Sequence, residues 1–251
     1  MLEELVIENI TPEEIDLDSF EIKPKLNPKI WKNENKVNLD VKKQLLKIAD
    51  DFFNSLDVPW VSVKDVQLTG SLAGYSWSKF SDIDLHVIIK YKEINKDTDL
   101  VTEYIKSKKD NWTKEHPDLK INGFNIEVSG QDEKEDIVSS GIYSLEDDEW
   151  IRKPKKQEPK FDKDAVKEKA AGIVNQIDDI EKLFNDKKYD QVLKDYEPLW
   201  KEIKSMRKRG LGKSGEFSIE NIVFKVLRRG EYLEKLTDFK NRAYDLNNSI
   251  K

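Results

Sequence analysis

Residues 82–89, DIDLHVII, constrain the fold more than any other stretch, because polar and apolar side chains alternate along its first part. Successive side chains of a β-strand point to opposite faces of the sheet. The apolar set is Ile83, Leu85, Val87 and Ile89, and the polar set is Asp82, Asp84 and His86. The pattern therefore predicts a strand with one face in the core and one face that carries two carboxylates.

A Gly-Ser pair, Gly70 and Ser71, lies ahead of this strand and follows a shorter predicted strand at 63–69. Glycine permits a tight turn in which the backbone comes close to a ligand. We expect Ser71 to begin a short helix, which Gly74 keeps close to the strand. Backbone N–H groups at a helix start and a serine hydroxyl both donate to anions. The segment therefore predicts a turn that binds phosphate.

The two aspartates also predict a metal site, because carboxylates at alternate strand positions repel each other and a divalent cation removes that conflict. The sequence has no Cys and only two His. Oxygen ligands and a hard ion are therefore expected, namely Mg²⁺, Mn²⁺ or Ca²⁺. Asn122-Gly123 predicts a hairpin whose second strand carries Glu127 on its polar face. If Glu127 lies beside the aspartates, three carboxylates could hold two magnesium ions, one activating an acceptor hydroxyl and one bound to a triphosphate.

The chain divides by composition into four parts. We expect an extended N-terminal arm, an α/β catalytic domain, a charged linker and an α-helical domain, at 1–31, 32–151, 152–161 and 162–251. The predicted fold class is a mixed sheet flanked by helices, with a C-terminal helical domain. In the last part, periodicity predicts three helices at about 162–186, 190–208 and 217–246, with a terminating turn at Gly210 or Gly212 and a cap at Ser218.

Charge is unevenly placed along a chain whose formal net charge is −6. Residues 201–230 hold nine Lys and Arg against three Glu, which is either a solvated helix face or a surface that meets phosphates. Residues 132–149 are acidic and are expected to form a loop. No apolar run reaches the ~20 residues of a membrane span, and the acidic start does not resemble a signal peptide. We therefore expect no membrane partner. The expected location is the cytoplasm, including that of a virus-infected host cell.

The combination of Gly70-Ser71, Gly74 and the run SDIDL (81–85) resembles the signature of the DNA polymerase β-like nucleotidyltransferase superfamily. The resemblance implies that Gly70 and Ser71 contact the β and γ phosphates of an NTP. It also implies that Asp82 and Asp84 bind Mg²⁺ or Mn²⁺, and that a third carboxylate acts on the metal nearer the acceptor. Glu127 is the candidate for that third place, where an Asp is commoner.

The resemblance further implies a role for the helical domain, which in two-domain nucleotidyltransferases commonly closes the cleft and lends a cation to the triphosphate. The candidates here are Lys225, Arg228 and Arg229, which a helix would bring within one turn of each other. More loosely, the whole chain is similar to uncharacterised nucleotidyltransferases of large tailed bacteriophages. The similar stretches are LNPKIW (26–31), SSGIYSL (139–145), MRKRGL (206–211) and GEFSIENIVFKVLRRGEYLEKL (215–236).

The expected reaction is in-line attack of an acceptor hydroxyl on the α-phosphorus of an NTP, with release of pyrophosphate. The acceptor stays open among RNA 3′ ends, another nucleotide, a small molecule and a protein side chain, and the basic helical patch slightly favours RNA or a nucleotide. The alternative is a non-catalytic nucleic-acid or virion-associated binding module that retains the fold. A third reading is a transferase of the NTP-sensing or toxin type that works with a partner protein. The sequence predicts no oligomeric state.

Overall fold

The computed structural model describes residues 9–156 and 160–249. The chain divides into two compact units, Ser19–Glu158 on the one hand and Met1–Asp18 with Pro159–Lys251 on the other. The predicted arm 1–31 is therefore divided between the two units. Residues 1–8 of that arm and 157–159 of the predicted linker lie outside the described residues.

A six-stranded mixed sheet forms the centre of the first unit, with the strand order β5-β6-β4-β3-β7-β8. Two short strands, β1 (Trp31–Asn33) and β2 (Lys36–Val37), pair with each other ahead of it. The strands of the sheet are β3 (Asp65–Thr69), β4 (Ile83–Ile89), β5 (Lys120–Ile121), β6 (Phe124–Asp132), β7 (Ile142–Ser144) and β8 (Glu149–Arg152). β4 and β6 run parallel, and the other pairs of this sheet run antiparallel.

Three helices accompany this sheet, α1 (Leu39–Ser55), α2 (Tyr91–Ile94) and α3 (Thr98–Glu115). The apolar side chains of α1 recur at three- to four-residue spacing and are buried in the core, with Leu45 and Phe52 fully so. Burial of one such side chain stabilises the fold by about 1.5–3 kcal/mol. At the start of α3, the Asp97 carboxylate accepts a hydrogen bond from the Leu100 backbone N–H at 3.1 Å, which caps the helix.

Strand β4 has the two faces that its alternation predicts. Ile83, Leu85, Val87 and Ile89 are fully buried, whereas Asp84 and His86 are only partly buried. The predicted hairpin is also confirmed, because Asn122 and Gly123 join β5 to β6 with positive φ angles of 53° and 90°. A two-residue turn of this kind requires φ > 0 at both positions, which Asn-Gly tolerates best.

The acidic segment 132–149 was expected to be a loop, and this prediction is wrong in part because β7 lies within it. Tyr143 of β7 is fully buried and packs edge-on against Trp31 and Trp150, with ring centroids 5.0 and 5.1 Å away. The strand is three residues long, so its period-2 signal is too short to detect among charged neighbours. One of the two aromatic contacts, Trp31, comes from a distant part of the chain, and the other, Trp150, comes from the neighbouring strand β8.

The second unit contains four helices in its described residues: α4 (Lys163–Asn185), α5 (Tyr189–Ser214), α6 (Ile219–Arg229) and α7 (Tyr232–Asn248). The predicted helix at 217–246 is broken between Arg229 and Tyr232, where Glu231 adopts a left-handed φ of 61°. The predicted cap at Ser218 is confirmed, because its hydroxyl accepts from the Asn221 backbone N–H at 3.2 Å.

The predicted stop of α5 at Gly210 or Gly212 is wrong, because the helix continues to Ser214 and ends at Gly215 with φ 70°. A Cβ on Gly210 would lie 2.6 Å from the Ser218 hydroxyl. Gly210 is therefore a point of close approach between α5 and the start of α6. Both units together confirm the predicted fold class, a mixed sheet flanked by helices with further helices after it. Among the described residues, no helix is both long and apolar enough to span a membrane.

Candidate functional site

The Gly-Ser segment forms a tight turn at the end of β3. Gly70 has φ 71° and ψ −158°, a backbone conformation that is essentially confined to glycine. Ser71–Ala73 follows as a single 3₁₀ turn, closed by a hydrogen bond from the Gly74 N–H to the Ser71 carbonyl at 3.2 Å. The predicted short helix is therefore reduced to one turn.

Gly70 lies directly beneath the carboxylate of Asp84. An ideal Cβ on Gly70 would lie 1.7 Å from Asp84 Oδ2 and 2.6 Å from its Cγ. The contact follows from the sheet register, since Thr69 of β3 is opposite Asp84 of β4. The turn and the carboxylate strand are thus joined by a contact that only a residue without a side chain permits.

The Ser71 hydroxyl connects the turn to the start of β4. Ser71 Oγ donates to Ser81 Oγ at 2.7 Å, and Ser81 Oγ also accepts from the Ser78 backbone N–H at 3.0 Å. Ser78 and Ser81 are both buried. Because Ser81 immediately precedes Asp82, these hydrogen bonds hold the turn and the first aspartate in a defined relation.

A loop at residues 137–141, which we call the Ser139 loop, packs on the turn from the other side. The Gly70 N–H donates to Ser139 Oγ at 3.0 Å, and Ser139 Oγ donates to the Gly141 carbonyl at 2.7 Å. Arg152 Nη1 donates to the carbonyls of Ile137 and Ser139 at 2.9 and 3.0 Å. A Cβ on Gly141 would lie 1.9 Å from the Ala73 carbonyl oxygen. Sequence reasoning assigned no role to Ser139, Gly141 or Arg152. The one available signal was that Ser139 and Gly141 belong to SSGIYSL (139–145), one of the similar stretches named above.

The three candidate carboxylates belong to two neighbouring strands. Asp82 lies one residue before β4, and Asp84 of β4 is the register partner of Glu127 in the parallel strand β6. Glu127 is 47% exposed, and its Oε1 accepts from Lys109 Nζ of α3 at 2.6 Å. Within residues 9–156 and 160–249, no three His, Cys, Asp or Glu side chains form a group that could hold a metal ion. The strands therefore place Glu127 as predicted, but its carboxylate is engaged by a lysine that the sequence did not single out.

His86 lies on the same face as Asp84, one step further along β4. Its Nδ1 is 2.5 Å from Gln131 Oε1. Burial lowers the pKa of His86 below its usual 6.5, and the charge of Lys109 acts in the same direction, outweighing the Gln131 hydrogen bond and the charge of Glu127. His86 is therefore neutral at physiological pH, held by a hydrogen bond within the sheet.

The candidate cations Lys225, Arg228 and Arg229 all lie on α6 of the second unit. Lys225 and Arg229 are partly buried, and Arg228 is exposed. Gly70, Ser71 and the three carboxylates lie in the first unit. A role for these cations at the triphosphate stays a prediction.

A second basic feature of this unit is a row of exposed lysines, Lys201, Lys204 and Lys208, which we call the α5 lysine face. Helical spacing puts the three on one side of α5, where they line an open groove of about 710 Å³ together with Trp200. Lys204 Nζ lies 4.9 Å from the centre of the Trp200 ring. No ion pair among the described residues includes these three lysines.

Comparisons with known proteins add little to this geometry. No protein-family model matches the sequence, and a search of curated proteins gives no match. A search of solved structures finds a STING-associated CdnE c-di-GMP synthase from Capnocytophaga granulosa. It is 13% identical, the alignment covers 85% of each chain, and the TM-score is 0.24. At this TM-score the similarity establishes nothing about the site, which has to be judged on its own contacts.

Proposed function

We propose that the chain is a nucleotidyltransferase, which moves a nucleoside monophosphate from an NTP to an acceptor hydroxyl and releases pyrophosphate. The observation that carries this proposal is the contact between Gly70 and Asp84. A turn suited to phosphate and a strand suited to a cation are packed against each other, so both would act on one ligand. A nucleoside triphosphate with a divalent cation is a ligand that needs both.

Ser71 is the residue of the turn that we assign to the phosphates. The Gly70 N–H already donates to Ser139 Oγ, so Gly70 supplies space rather than a donor. The Ser71 hydroxyl can rotate from Ser81 toward a ligand, since a hydroxyl is both donor and acceptor. Of the two residues that the sequence signature implies for phosphate binding, this leaves Ser71 as the direct contact.

The donor chemistry of the aspartates fits a hard divalent cation. Asp82 and Asp84 supply carboxylate oxygens beside the turn, and the other coordination positions would go to water and phosphate oxygens. Glu127 could join them with its second oxygen while Oε1 stays on Lys109, or with both oxygens after leaving Lys109. Bound there, Mg²⁺ or Mn²⁺ would neutralise the triphosphate and increase the acidity of the acceptor hydroxyl.

In the proposed reaction, the acceptor oxygen forms a bond to the α-phosphorus while the bond from that phosphorus to the bridging oxygen breaks. The bridging oxygen leaves with pyrophosphate. We assign the acceptor proton to Glu127, whose carboxylate is exposed on the strand beside Asp84. Lys225, Arg228 or Arg229 would add positive charge at the triphosphate, as the sequence resemblance implies.

The α5 lysine face supports a polynucleotide or a nucleotide as the acceptor. Rows of lysines bind phosphates without regard to base sequence, whereas the Trp200 ring among them is already stacked with Tyr196 and contacted by Lys204. The helix dipole does not account for Lys201 and Lys204, because that effect is limited to the last turn and α5 ends at Ser214. Single-stranded RNA is therefore the first acceptor to test.

The test is incubation with each α-³²P-labelled NTP, Mg²⁺ or Mn²⁺, and separate fractions of RNA, nucleotides, metabolites and protein. We expect label in one fraction with the wild type and a loss of about 10³-fold in Asp84→Asn, because a metal–carboxylate contact contributes several kcal/mol to such reactions. Asp110→Asn, an exposed aspartate on α3, is the control that should keep full activity.

The alternative, a non-catalytic nucleic-acid or virion-associated module, has one observation in its favour, the Lys109–Glu127 ion pair at 2.6 Å. That pair engages one oxygen of the third carboxylate and offsets its negative charge, which weakens it as a metal ligand. Label that enters no fraction, together with RNA binding that survives in Asp84→Asn, would decide for the alternative.

A further inference from the structure

We infer that Ser139 is a positioning residue that holds the Gly-Ser turn and, through it, the Asp84 carboxylate. This inference rests on the proposed function. It adds the loop residue that holds the Gly-Ser turn next to the strand that carries Asp84. It starts from the Gly70 N–H, which donates to Ser139 Oγ at 3.0 Å.

The hydrogen bond acts at Gly70, where movement of the turn would reach Asp84. Gly70 lies so close to Asp84 that its missing Cβ would be 1.7 Å from Oδ2. A rotation of the Gly70 peptide therefore changes the space in which the carboxylate lies. Because Gly70 and the Asp84 carboxylate are in van der Waals contact, a shift of the turn at Gly70 displaces the carboxylate.

Ser139 is itself fixed by groups that do not belong to the turn. Its hydroxyl donates to the Gly141 carbonyl at 2.7 Å, which leaves an oxygen lone pair directed at the Gly70 N–H. Arg152 of β8 donates to the carbonyls of Ile137 and Ser139, and the cation makes these charge-assisted bonds stronger than neutral ones. The Ser139 loop is thereby held to strand β8 on one side and to the turn on the other.

Two glycines let the loop come this close. Gly141 lies where a Cβ would be 1.9 Å from the Ala73 carbonyl oxygen, and a Cβ on Gly74 would be 3.0 Å from Ser140 Oγ. The loop therefore contacts both ends of the turn, and Ser139 provides its hydrogen bond to Gly70. A loop without a role at the turn would not need to come this close to it at two positions.

The test compares Ser139→Ala with Ser139→Thr, which keeps the hydroxyl, and with Ser140→Ala, the neighbour whose side chain makes no hydrogen bond among the described residues. The first measurement is hydrogen exchange of the Gly70 amide, which needs no ligand. The second is the Kd of each nucleoside triphosphate with Mg²⁺, taken well below the melting temperature of every variant.

We expect Ser139→Ala to speed exchange of the Gly70 amide and to weaken triphosphate binding, each about fivefold, the size of one neutral hydrogen bond. Ser139→Thr should restore both values, and Ser140→Ala should change neither. An unchanged exchange rate in Ser139→Ala overturns the inference alone, as does faster exchange with an unchanged Kd. A wild type that binds none of the four triphosphates overturns the proposed function, and the positioning role with it.

Discussion

Gly70 of the first unit and Gly215 of the second have nearly the same backbone conformation, with φ 71° and ψ −158° against φ 70° and ψ −152°. Their surroundings differ completely. A Cβ on Gly70 would overlap the Asp84 carboxylate, whereas no atom of the described side chains lies within 4 Å of a Cβ on Gly215. The same backbone conformation ends a helix in the second unit and lies against a carboxylate in the first. The residues that surround each glycine therefore decide its role.

The largest effect should come from replacing these two glycines by alanine. Both variants bear the strain of a side chain in this conformation, about 1–3 kcal/mol in the free energy of unfolding. Only Gly70→Ala must also displace Asp84, so we expect a loss of transferase activity of about 10³-fold there, the same size as for Asp84→Asn. Urea denaturation and the labelled-NTP assay measure the two effects.

Gly215→Ala controls for backbone strain alone and should keep its activity. Equal activity in the two variants would mean that the contact between Gly70 and Asp84 has no part in the reaction.

The next largest effect is expected in the helical unit, at the α5 lysine face. Helical spacing alone puts its three lysines on one side of α5. Replacing Lys201, Lys204 and Lys208 by Gln should weaken binding of a 20-nucleotide single-stranded RNA about tenfold. It should also reduce the slope of log K against log salt by about 2, the release of counterions from three phosphate contacts. Fluorescence anisotropy across a salt series measures both.

The matched control for charge is the triple replacement of Lys43, Lys47 and Lys106 by Gln, on exposed faces of α1 and α3. It changes the net charge by the same amount and should leave RNA binding almost unaffected. An equal loss of RNA affinity in both triple variants would mean that net charge alone causes the effect. The α5 lysine face would then not be a specific RNA-binding surface.

A smaller effect is expected from Lys109, which engages the third carboxylate of the first unit. Lys109→Met keeps about the length of the side chain and removes its charge, so the Glu127 carboxylate loses this ion pair and its negative charge is no longer offset there. The affinity for Mn²⁺ should increase up to about fivefold, because a partly exposed ion pair contributes up to about 1 kcal/mol. Electron paramagnetic resonance of free Mn²⁺ measures the change.

Lys106→Met is the control on the same helix, since its 3.9 Å pair with Glu103 is exposed on both sides. A lower Mn²⁺ affinity in Lys109→Met would instead show that Lys109 holds Glu127 in position for the metal.

The smallest effect concerns the pH dependence of the first unit. Burial lowers the pKa of His86 below 6.5, so between that lowered value and 6.5 the unfolded chain binds a proton that the folded chain does not. The free energy of unfolding should therefore fall as the pH decreases through this window. His86→Gln should reduce this loss, as measured by urea denaturation at pH 7.5 and 5.5. If His86→Gln lost as much stability between pH 7.5 and 5.5 as the wild type, groups other than His86 would be responsible for the loss.

Local patterns in the sequence account for the elements of the site. The period-2 alternation places Asp84 and His86 on the face opposite the buried Ile83, and Asn122-Gly123 encodes the hairpin that brings in β6. Each of these signals lies within a few neighbouring residues, where the geometry of a strand or a turn is directly readable.

Where local signals compete or are short, the predictions were wrong. The predicted helix stop at Gly210 or Gly212 is overridden because Gly210 packs against Ser218, and α5 continues past it. The strand β7 was missed inside an acidic segment, since three residues carry too little periodicity and its Tyr143 is placed by Trp31 and Trp150. Side-chain packing against a neighbouring element decided both cases.

By itself, the sequence determined that Asp84 and His86 lie on the face of β4 opposite its buried side chains, that a Gly-Ser turn precedes this strand, and that helices follow. Only the tertiary structure decided that Gly70 lies beneath Asp84, that Ser139 holds the Gly70 N–H, and that Lys109 pairs with Glu127. The reason is physical: strand and helix periods act between neighbours in the chain, whereas these three contacts join residues that only the folding of the sheet brings together.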